Sequence, residues 1–362
     1  MKLLNLKEEN LYYIGGIVRD MILDRECFDI DITYVGNAIE YAKTLKDSEI
    51  LQINKDFGTV KILIEGQEID FASTRYEEYP QAGHLPRVVD IGCSLERDVK
   101  RRDFTINALA KSLKTGEIID LTGGLKDIET KTLRVLHDKS FIDDPTRIIR
   151  GLKFSVRFGF ELDLHTKELQ DKYLDNVNYD MSWKRVKKEL VETFNLNSQQ
   201  AFDRFFEERI YKLISKKEII PPKFNIETLI NKYNVKNIWL VYLGWMDLSM
   251  LPLTKQEQKI IDDYKNLTNL RLDDDYSIYK AFKKSEPESI LLYAIMVDEN
   301  KVYRYMDYLS GINVRLTGKD IVKLGIEPSK KFAECFDYIL EQKLINPDID
   351  EEETAKKFFK LI

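Results

Sequence analysis

Residues 12–36 read YYIGGIVRDMILDRECFDIDITYVG: an apolar run into Gly15-Gly16, a stretch of helical character, then Asp29-Ile30-Asp31 within a β-like run. Residues i and i+2 of a strand point to the same face, so the spacing predicts that Asp29 and Asp31 project together while Ile30 and Ile32 turn to the core. Two carboxylates that close repel unless a cation lies between them. Mg²⁺ meets that need, since it takes hard oxygen ligands from one or two carboxylates and completes its shell with phosphate oxygens. An isolated Asp-x-Asp describes a solvated strand face equally well, so the preceding glycines carry the argument. Gly15-Gly16 lets backbone N–H groups approach a phosphate chain, and Arg19, one helical turn later, supplies positive charge.

Outward from this stretch, residues 57–74, FGTVKILIEGQEIDFAST, alternate apolar and polar residues on both sides of Gly66, the pattern of a β-hairpin. Ile69 and Phe71 then face one side and Asp70 the other. Residues 76–91, YEEYPQAGHLPRVVDI, contain Pro80, Gly83 and Pro86 and break both periodicities, which predicts a long loop. Beyond Asp144 the pattern turns helical, with Ile148, Leu152 and Val156 on one stripe, and Pro221-Pro222 and residues 273–275 mark joints between later helical groups. The chain therefore reads as an α/β head followed by an all-α remainder.

Composition narrows the class. At 362 residues the chain is long enough for two or three domains, and 43% hydrophobic with 33% charged residues is a globular balance. The longest apolar run, residues 290–297, is far short of a bilayer span. Lys7, Glu8 and Glu9 interrupt the amino terminus where a signal peptide needs apolar residues, and this predicts a cytoplasmic protein with no membrane partner. Cys27, Cys93 and Cys335 have no paired spacing, nor do His84, His137 and His165. A net charge of −6 argues against indiscriminate coating of nucleic acid and leaves room for a local basic face. Residues 181–223 offer one, with ten Lys or Arg against six Asp or Glu.

Two further motifs connect these features. Residues 101–110 read RRDFTINALA, and residues 142–160 read IDDPTRIIRGLKFSVRFGF. With GGIVRD and DID, they resemble the polymerase-β-like nucleotidyltransferases, specifically the bacterial class II tRNA nucleotidyltransferases and the related poly(A) polymerases. Residues 181–194, MSWKRVKKELVETF, and 316–332, LTGKDIVKLGIEPSKKF, resemble later segments of that family more weakly, and Pro328-Ser329 stands where relatives often have Pro-Gly.

The resemblance implies a polymerase-β-like α/β head, a mixed sheet with helices, over residues 1–135. It implies a helical neck with a base-reading motif over 136–195, and a helical body and tail that bind tRNA over 196–362. Asp29 and Asp31 would hold the catalytic Mg²⁺ ions. Asp70, five residues before Arg75, would be the third carboxylate, acting on the attacking hydroxyl or ligating metal beside it. Gly15, Gly16, Arg19, Arg102, Asp103 and Asn107 would bind the sugar and phosphates of the incoming nucleotide, with Arg150 reaching toward the triphosphate. Asp144 and Arg147 would read the base. Adenine and cytosine both present an amino donor beside a ring-nitrogen acceptor, which suits Asp as acceptor and Arg as donor, whereas guanine and uracil mismatch both contacts. Asp144 before Pro145 also suits a helix cap. Lys153 stands where many relatives have Arg and Asp143 where many have Glu, and Lys lacks the planar fork of Arg.

The implied reaction is template-independent addition of CMP and AMP from CTP and ATP to the 3′ end of tRNA. Addition of CC alone, of A alone, poly(A) synthesis and a non-catalytic RNA-binding role stay open. The full-length segment between Asp70 and Arg101 argues against CC alone, and the filled acidic and basic positions argue against a non-catalytic role. Nothing in the sequence fixes an oligomeric state.

Overall fold

The computed structural model describes residues 8–27, 29–46, 48–64 and 66–360. The amino-terminal reading that used Lys7 lies outside the described residues. The chain divides into two compact units, Met1–Ile219 and Ile220–Ile362, which meet in sequence beside Pro221-Pro222.

The first unit opens with β1 (Leu11–Ile14), α1 (Gly16–Ile22), β2 (Ile30–Tyr34), α2 (Ala38–Ala42), β3 (Ser48–Asn54), β4 (Thr59–Ile64) and β5 (Gln67–Ser73). There follow β6 (Arg75–Glu78), β7 (Arg87–Ile91), α3 (Leu95–Lys100), β8 (Ala110–Ser112), β9 (Ile118–Ile119) and α4 (Gly124–Glu129). Among the described residues, one mixed sheet runs in the order β3-β4-β5-β2-β1-β8-β9. The hairpin around Gly66 forms as the alternation predicts: Val60, Ile62, Ile69 and Phe71 are buried, whereas Asp70 is exposed. Hydrophobic burial thus fixes the register, because a one-residue slip would put Asp70 into the core. The hairpin then joins β2 in parallel, with Asp31 opposite Asp70, and β4 places Lys61 on the other side of Asp70. A row Lys61–Asp70–Asp31 crosses three strands.

The long loop expected over residues 76–91 is only part loop. β6 and β7 pair antiparallel at its two ends, leaving the segment with Pro80, Gly83 and Pro86 as the connection. A register shift between Tyr76 and Glu77 and the exposure of β7 on both faces erase the alternation that would have revealed these strands.

Helices complete the unit after β10 (Thr132–Leu133). They are α5 (Ser140–Asp143), α6 (Thr146–Phe158), α7 (Leu164–Asp175) beyond the short β11 (Glu161–Leu162), α8 (Trp183–Phe194) and α9 (Gln199–Glu207). On α6, Ile148 and Leu152 are buried and Val156 half-buried, so the apolar stripe faces the core as its spacing requires. Gly159 ends the helix in the left-handed conformation. The second unit is helical from Ile226–Tyr233 to Glu351–Phe358. Asp274 and Thr317 begin two of its helices with reciprocal capping hydrogen bonds. Among the described residues, no helix is long and apolar enough to cross a membrane.

Candidate active site

A cavity of about 970 Å³ in the first unit gathers residues from distant parts of its sequence. Gly15, Gly16 and Arg19 come from the β1–α1 junction and Asp29 and Asp31 from β2 and its approach. Arg102, Asp103 and Asn107 follow α3, and Asp144, Arg147 and Arg150 come from the start of α6. Asp70 is the one sequence-predicted site residue that does not line it.

Gly15 has φ +75°, and its N–H donates to the Leu109 carbonyl at 3.0 Å, which ties the turn to the segment carrying Asn107. A Cβ here would lie 3.2 Å from Arg102 Nη1 in a backbone conformation that side chains rarely adopt. Gly15→Ala is expected to lower stability by about 1–3 kcal/mol and to raise the KM for nucleotide. Gly16→Ala, whose Cβ would meet Arg19 Nη2 at an ordinary 3.5 Å, is the comparison. Thermal unfolding and steady-state kinetics of the pair check this.

Ile30 and Ile32 are buried, and between them Asp31 is half-buried, with Asp29 exposed at the strand's approach. Burial raises the Asp31 carboxyl above its usual range; Arg102 pulls it down, while Asp70 and Asp29 add to the rise. A cation between these carboxylates would relieve that repulsion. Among the described residues, no three Asp, Glu, His or Cys side chains gather as a ready-made metal cage. The pair Asp29 and Asp31 nonetheless fits a hard divalent cation, which needs only one or two carboxylates when other oxygen ligands complete its shell. Asp70 stands on the adjacent strand, its Oδ2 3.5 Å from Lys61 Nζ.

Behind the pair runs a connected polar network. Arg19 is buried, donates to Asp20 at 2.8 Å and to Asn107 Oδ1, and lies over the Phe158 ring at 4.4 Å. Its charge is therefore committed to Asp20 and Asn107 rather than standing free in the cavity. Asn107 Nδ2 donates to Asp103 Oδ1 at 3.0 Å, and Arg150 donates to Asp103 Oδ2 at 2.8 Å and to Glu189 at 3.2 Å. Lys153 is buried and bonded to Glu189 at 2.7 Å and Glu192 at 2.6 Å, so its ammonium does what a point charge does well, without a fork. Arg102 donates through Nη2 to Asp98 at 3.0 Å, and its buried Nε has no partner among the described residues.

Burial alone would raise the Asp103 carboxyl, but Arg150 and Asn107 hold it down at about 2 against an ordinary 3.8. A depressed carboxyl stabilises the fold fully above its unfolded value and loses that contribution as pH falls through the folded one, here a window from about 4 down to about 2. The contribution is roughly 2 kcal/mol. Unfolding free energy measured from pH 6 to pH 2 is expected to fall less steeply below pH 4 in Asp103→Asn than in the unaltered chain.

Asp144 and Arg147 are both buried. Asp144 Oδ1 accepts from the Thr146 N–H at 3.1 Å and hydroxyl at 2.6 Å, so it caps α6, and Oδ2 accepts from Arg185. Arg147 donates to Ser140 Oγ at 2.7 Å and the Arg101 carbonyl at 2.8 Å, with a longer 3.3 Å contact to the Tyr79 hydroxyl. Capping and cavity lining thus coexist in one carboxylate. Arg185 and Glu189 were not singled out from the sequence, although their i, i+4 spacing on a basic helix signals one face; that face meets Asp144, Arg150 and Lys153. The histidines are dispersed, His84 bonding Asp180 at 3.0 Å and His165 bonding Asp138 at 2.8 Å, while His137 lies 3.5 Å from Arg147 Nη1.

An acidic pair beside a glycine turn on a mixed sheet thus lines an arginine-rich cavity. Residues 11–134 match the poly A polymerase head domain. The chain resembles bacterial A-adding and CCA-adding tRNA nucleotidyltransferases, and its fold matches that of solved CCA-adding enzymes. The A-adding tRNA nucleotidyltransferase of Aquifex aeolicus is 44% identical over 163 residues, which is 44% of this chain and 20% of that protein. That of Geobacter sulfurreducens is 29% identical over 92% of this chain and 43% of its own length. The chain thus spans less than half of either relative. A solved CCA-adding enzyme, apo form II, superposes with a TM-score of 0.79 at 25% identity, covering 97% of this chain and 92% of that one. A CCA-adding enzyme in complex with ATP gives 0.77 at 25% identity, covering 96% and 88%.

Proposed function

We propose that the protein adds CMP and AMP from CTP and ATP to the 3′ end of tRNA without a template, with Mg²⁺ at Asp29 and Asp31, in the cytoplasm. The observation that carries this reading is the single cavity in which an Asp–Arg pair suited to cytosine and adenine faces an acidic pair suited to a metal-bound triphosphate. Residues 1–135 would perform the chemistry, 136–195 would present the base reader, and 196–362 would bind the acceptor arm by shape and backbone contacts.

The 3′-oxygen of the RNA forms a bond to the α-phosphorus, the bond from the α-phosphorus to the bridging oxygen of the β-phosphate breaks, and pyrophosphate leaves. The hydroxyl proton passes to Asp70 and on to solvent. Asp29 and Asp31 would hold Mg²⁺, which would supply charge stabilisation for the attacking and leaving oxygens. Arg102, which lines the cavity with Nη1 beside Gly15, takes triphosphate oxygens, and Arg150, braced by Asp103 and Glu189, keeps the sugar side rigid. Arg147 reads the base by exchanging its long Tyr79 contact for a ring nitrogen while its two short bonds keep it in place. Asp144 accepts from the exocyclic amino group.

A second reading, addition of A alone, is favoured by the names of the Aquifex and Geobacter relatives. Transfer RNAs ending before CCA, after C and after CC, incubated with CTP or ATP separately and together, decide between them. Full CCA addition is expected to extend all three, whereas an A-adding enzyme extends only the last. Long A tracts would indicate a poly(A) polymerase, and no incorporation on any substrate with Mg²⁺ would overturn the enzyme reading.

A further inference from the structure

Behind the cavity wall lies a carboxylate that the reaction above does not use. Asp98, on α3, is fully buried, yet three arginines of the cavity lining converge on it. Its Oδ1 accepts from the Arg75 N–H at 3.0 Å and from Arg101 Nε at 2.9 Å, and its Oδ2 accepts from Arg102 Nη2 at 3.0 Å. We propose that Asp98 is a positioning residue for nucleotide binding, which holds one end of the Arg102 guanidinium so that the other end, Nη1, is fixed beside the Gly15 turn for a triphosphate oxygen. The inference rests on the nucleotidyl-transfer reading above and extends it to a residue that does not touch the nucleotide.

The donors on Oδ1 set the direction of the carboxylate, because one of them belongs to the backbone at the start of β6 and cannot turn away. Oδ2 then faces Arg102. Glu77 completes the cluster: its Oε1 accepts from Arg75 Nε at 2.6 Å and lies 3.5 Å from Arg101 Nη1. Three guanidiniums thus share two carboxylates, and since Glu77 serves Arg75 and Arg101, the surplus positive charge stands at Arg102, where the cluster reaches the cavity. Burial alone would raise the Asp98 carboxyl, but Arg102 and Arg101 hold it below its ordinary value, so it stays ionised and accepts as an anion. An arginine already held by a buried partner loses less freedom when a phosphate docks than one that swings in solvent. Asp98 also decides where Arg102 does not go. Burial raises the Asp31 carboxyl and Arg102 opposes that rise, so the acidic pair lies within the field of the guanidinium. Released from Asp98, the guanidinium would be drawn to that pair and away from the phosphate.

The test titrates the full chain with ATP and Mg²⁺ in the absence of tRNA, and then with adenosine as a competitor. Asp98→Asn keeps the shape of the side chain and removes its charge. It is expected to weaken ATP binding by roughly ten- to a hundredfold, the worth of one hydrogen bond to a charged group, and to leave adenosine binding unchanged. In an Arg102→Met background the same change is expected to add nothing further, because the side chain it acts through is gone. A merely structural role would weaken ATP and adenosine alike and would act in either background. Either result overturns the proposal, as does an ATP affinity that Asp98→Asn leaves unaltered. Arg102→Lys carries the test with the buried carboxylate in place: Lys keeps the charge but has a single nitrogen, which cannot hold Asp98 and a phosphate together. Its ATP affinity is expected to fall by a similar factor, and an affinity equal to that of the unaltered chain overturns the bridging role even where Asp98→Asn does not fold. An unaltered chain that binds neither ATP nor CTP would overturn the function reading, and the positioning role with it.

Discussion

Asp29→Ala is expected to abolish nucleotidyl transfer while leaving the fold and tRNA binding intact. Asp29 is exposed at the approach to β2 and takes no part in the core, so its removal opens no cavity and strands no buried partner. It also relieves the repulsion that helps to raise Asp31. On the proposed function it would remove one of two hard-oxygen ligands, and a metal that stabilises the attacking and leaving oxygens contributes several kcal/mol to the transition state. At one decade per 1.36 kcal/mol, the loss is about a thousandfold or more. Single-turnover incorporation measures the rate, filter binding measures tRNA affinity, and thermal unfolding reports the fold. Activity within tenfold of the unaltered chain would remove Asp29 from the metal site.

Arg147→Ala is expected to act on choice rather than on rate alone. On the proposed base reading, with the guanidinium gone Asp144 would still accept from the amino group of cytosine or adenine, but nothing would donate to the ring nitrogen, and the positive charge opposing the ring N–H of guanine or uracil would be lost. Discrimination against UTP and GTP is expected to fall by about ten- to a hundredfold, the equivalent of one mismatched polar contact at 1–3 kcal/mol. The variant also loses the bonds to Ser140 and the Arg101 carbonyl, so some stability goes with them. Asp144→Asn is the complementary change, since the amide keeps the shape but weakens the pair with Arg185. Competition assays with all four nucleotides give the ratios; unchanged ratios in both variants would move base reading elsewhere.

The parts of the fold that were legible in the sequence are those built by local periodicity. Alternation through Ile30, Asp31 and Ile32, and through Ile69, Asp70 and Phe71, identified which side chains leave the core before any pairing was known, because burial penalises a one-residue slip. The 3.6-residue stripe of α6 was visible for the same reason. β6 and β7 were not visible, since a short, two-sided exposed pair with a register shift has no alternation to read. Within the candidate site, the residue types at Gly15, Asp29, Asp103 and Arg147 were legible, but their partners were not. That Arg19 is spent on Asp20 and Asn107, that Asp103 rests on Arg150, and that Arg185 meets Asp144 are products of contacts across 41 to 88 residues of sequence in the longer cases. Charge pairing at that separation leaves no periodic trace. Lys153 shows the consequence: doubtful as a phosphate fork, it is a buried counter-ion for Glu189 and Glu192.

The most direct measurement of the central claim is incorporation from each of the four α-labelled nucleotides into tRNA ending before CCA and after CC, with Mg²⁺ and with chelator, while released pyrophosphate is counted. Label is expected only from CTP or ATP, only when Mg²⁺ is present, with one pyrophosphate released per nucleotide added. Incorporation that persists in chelator, or that proceeds equally from UTP and GTP, would contradict it.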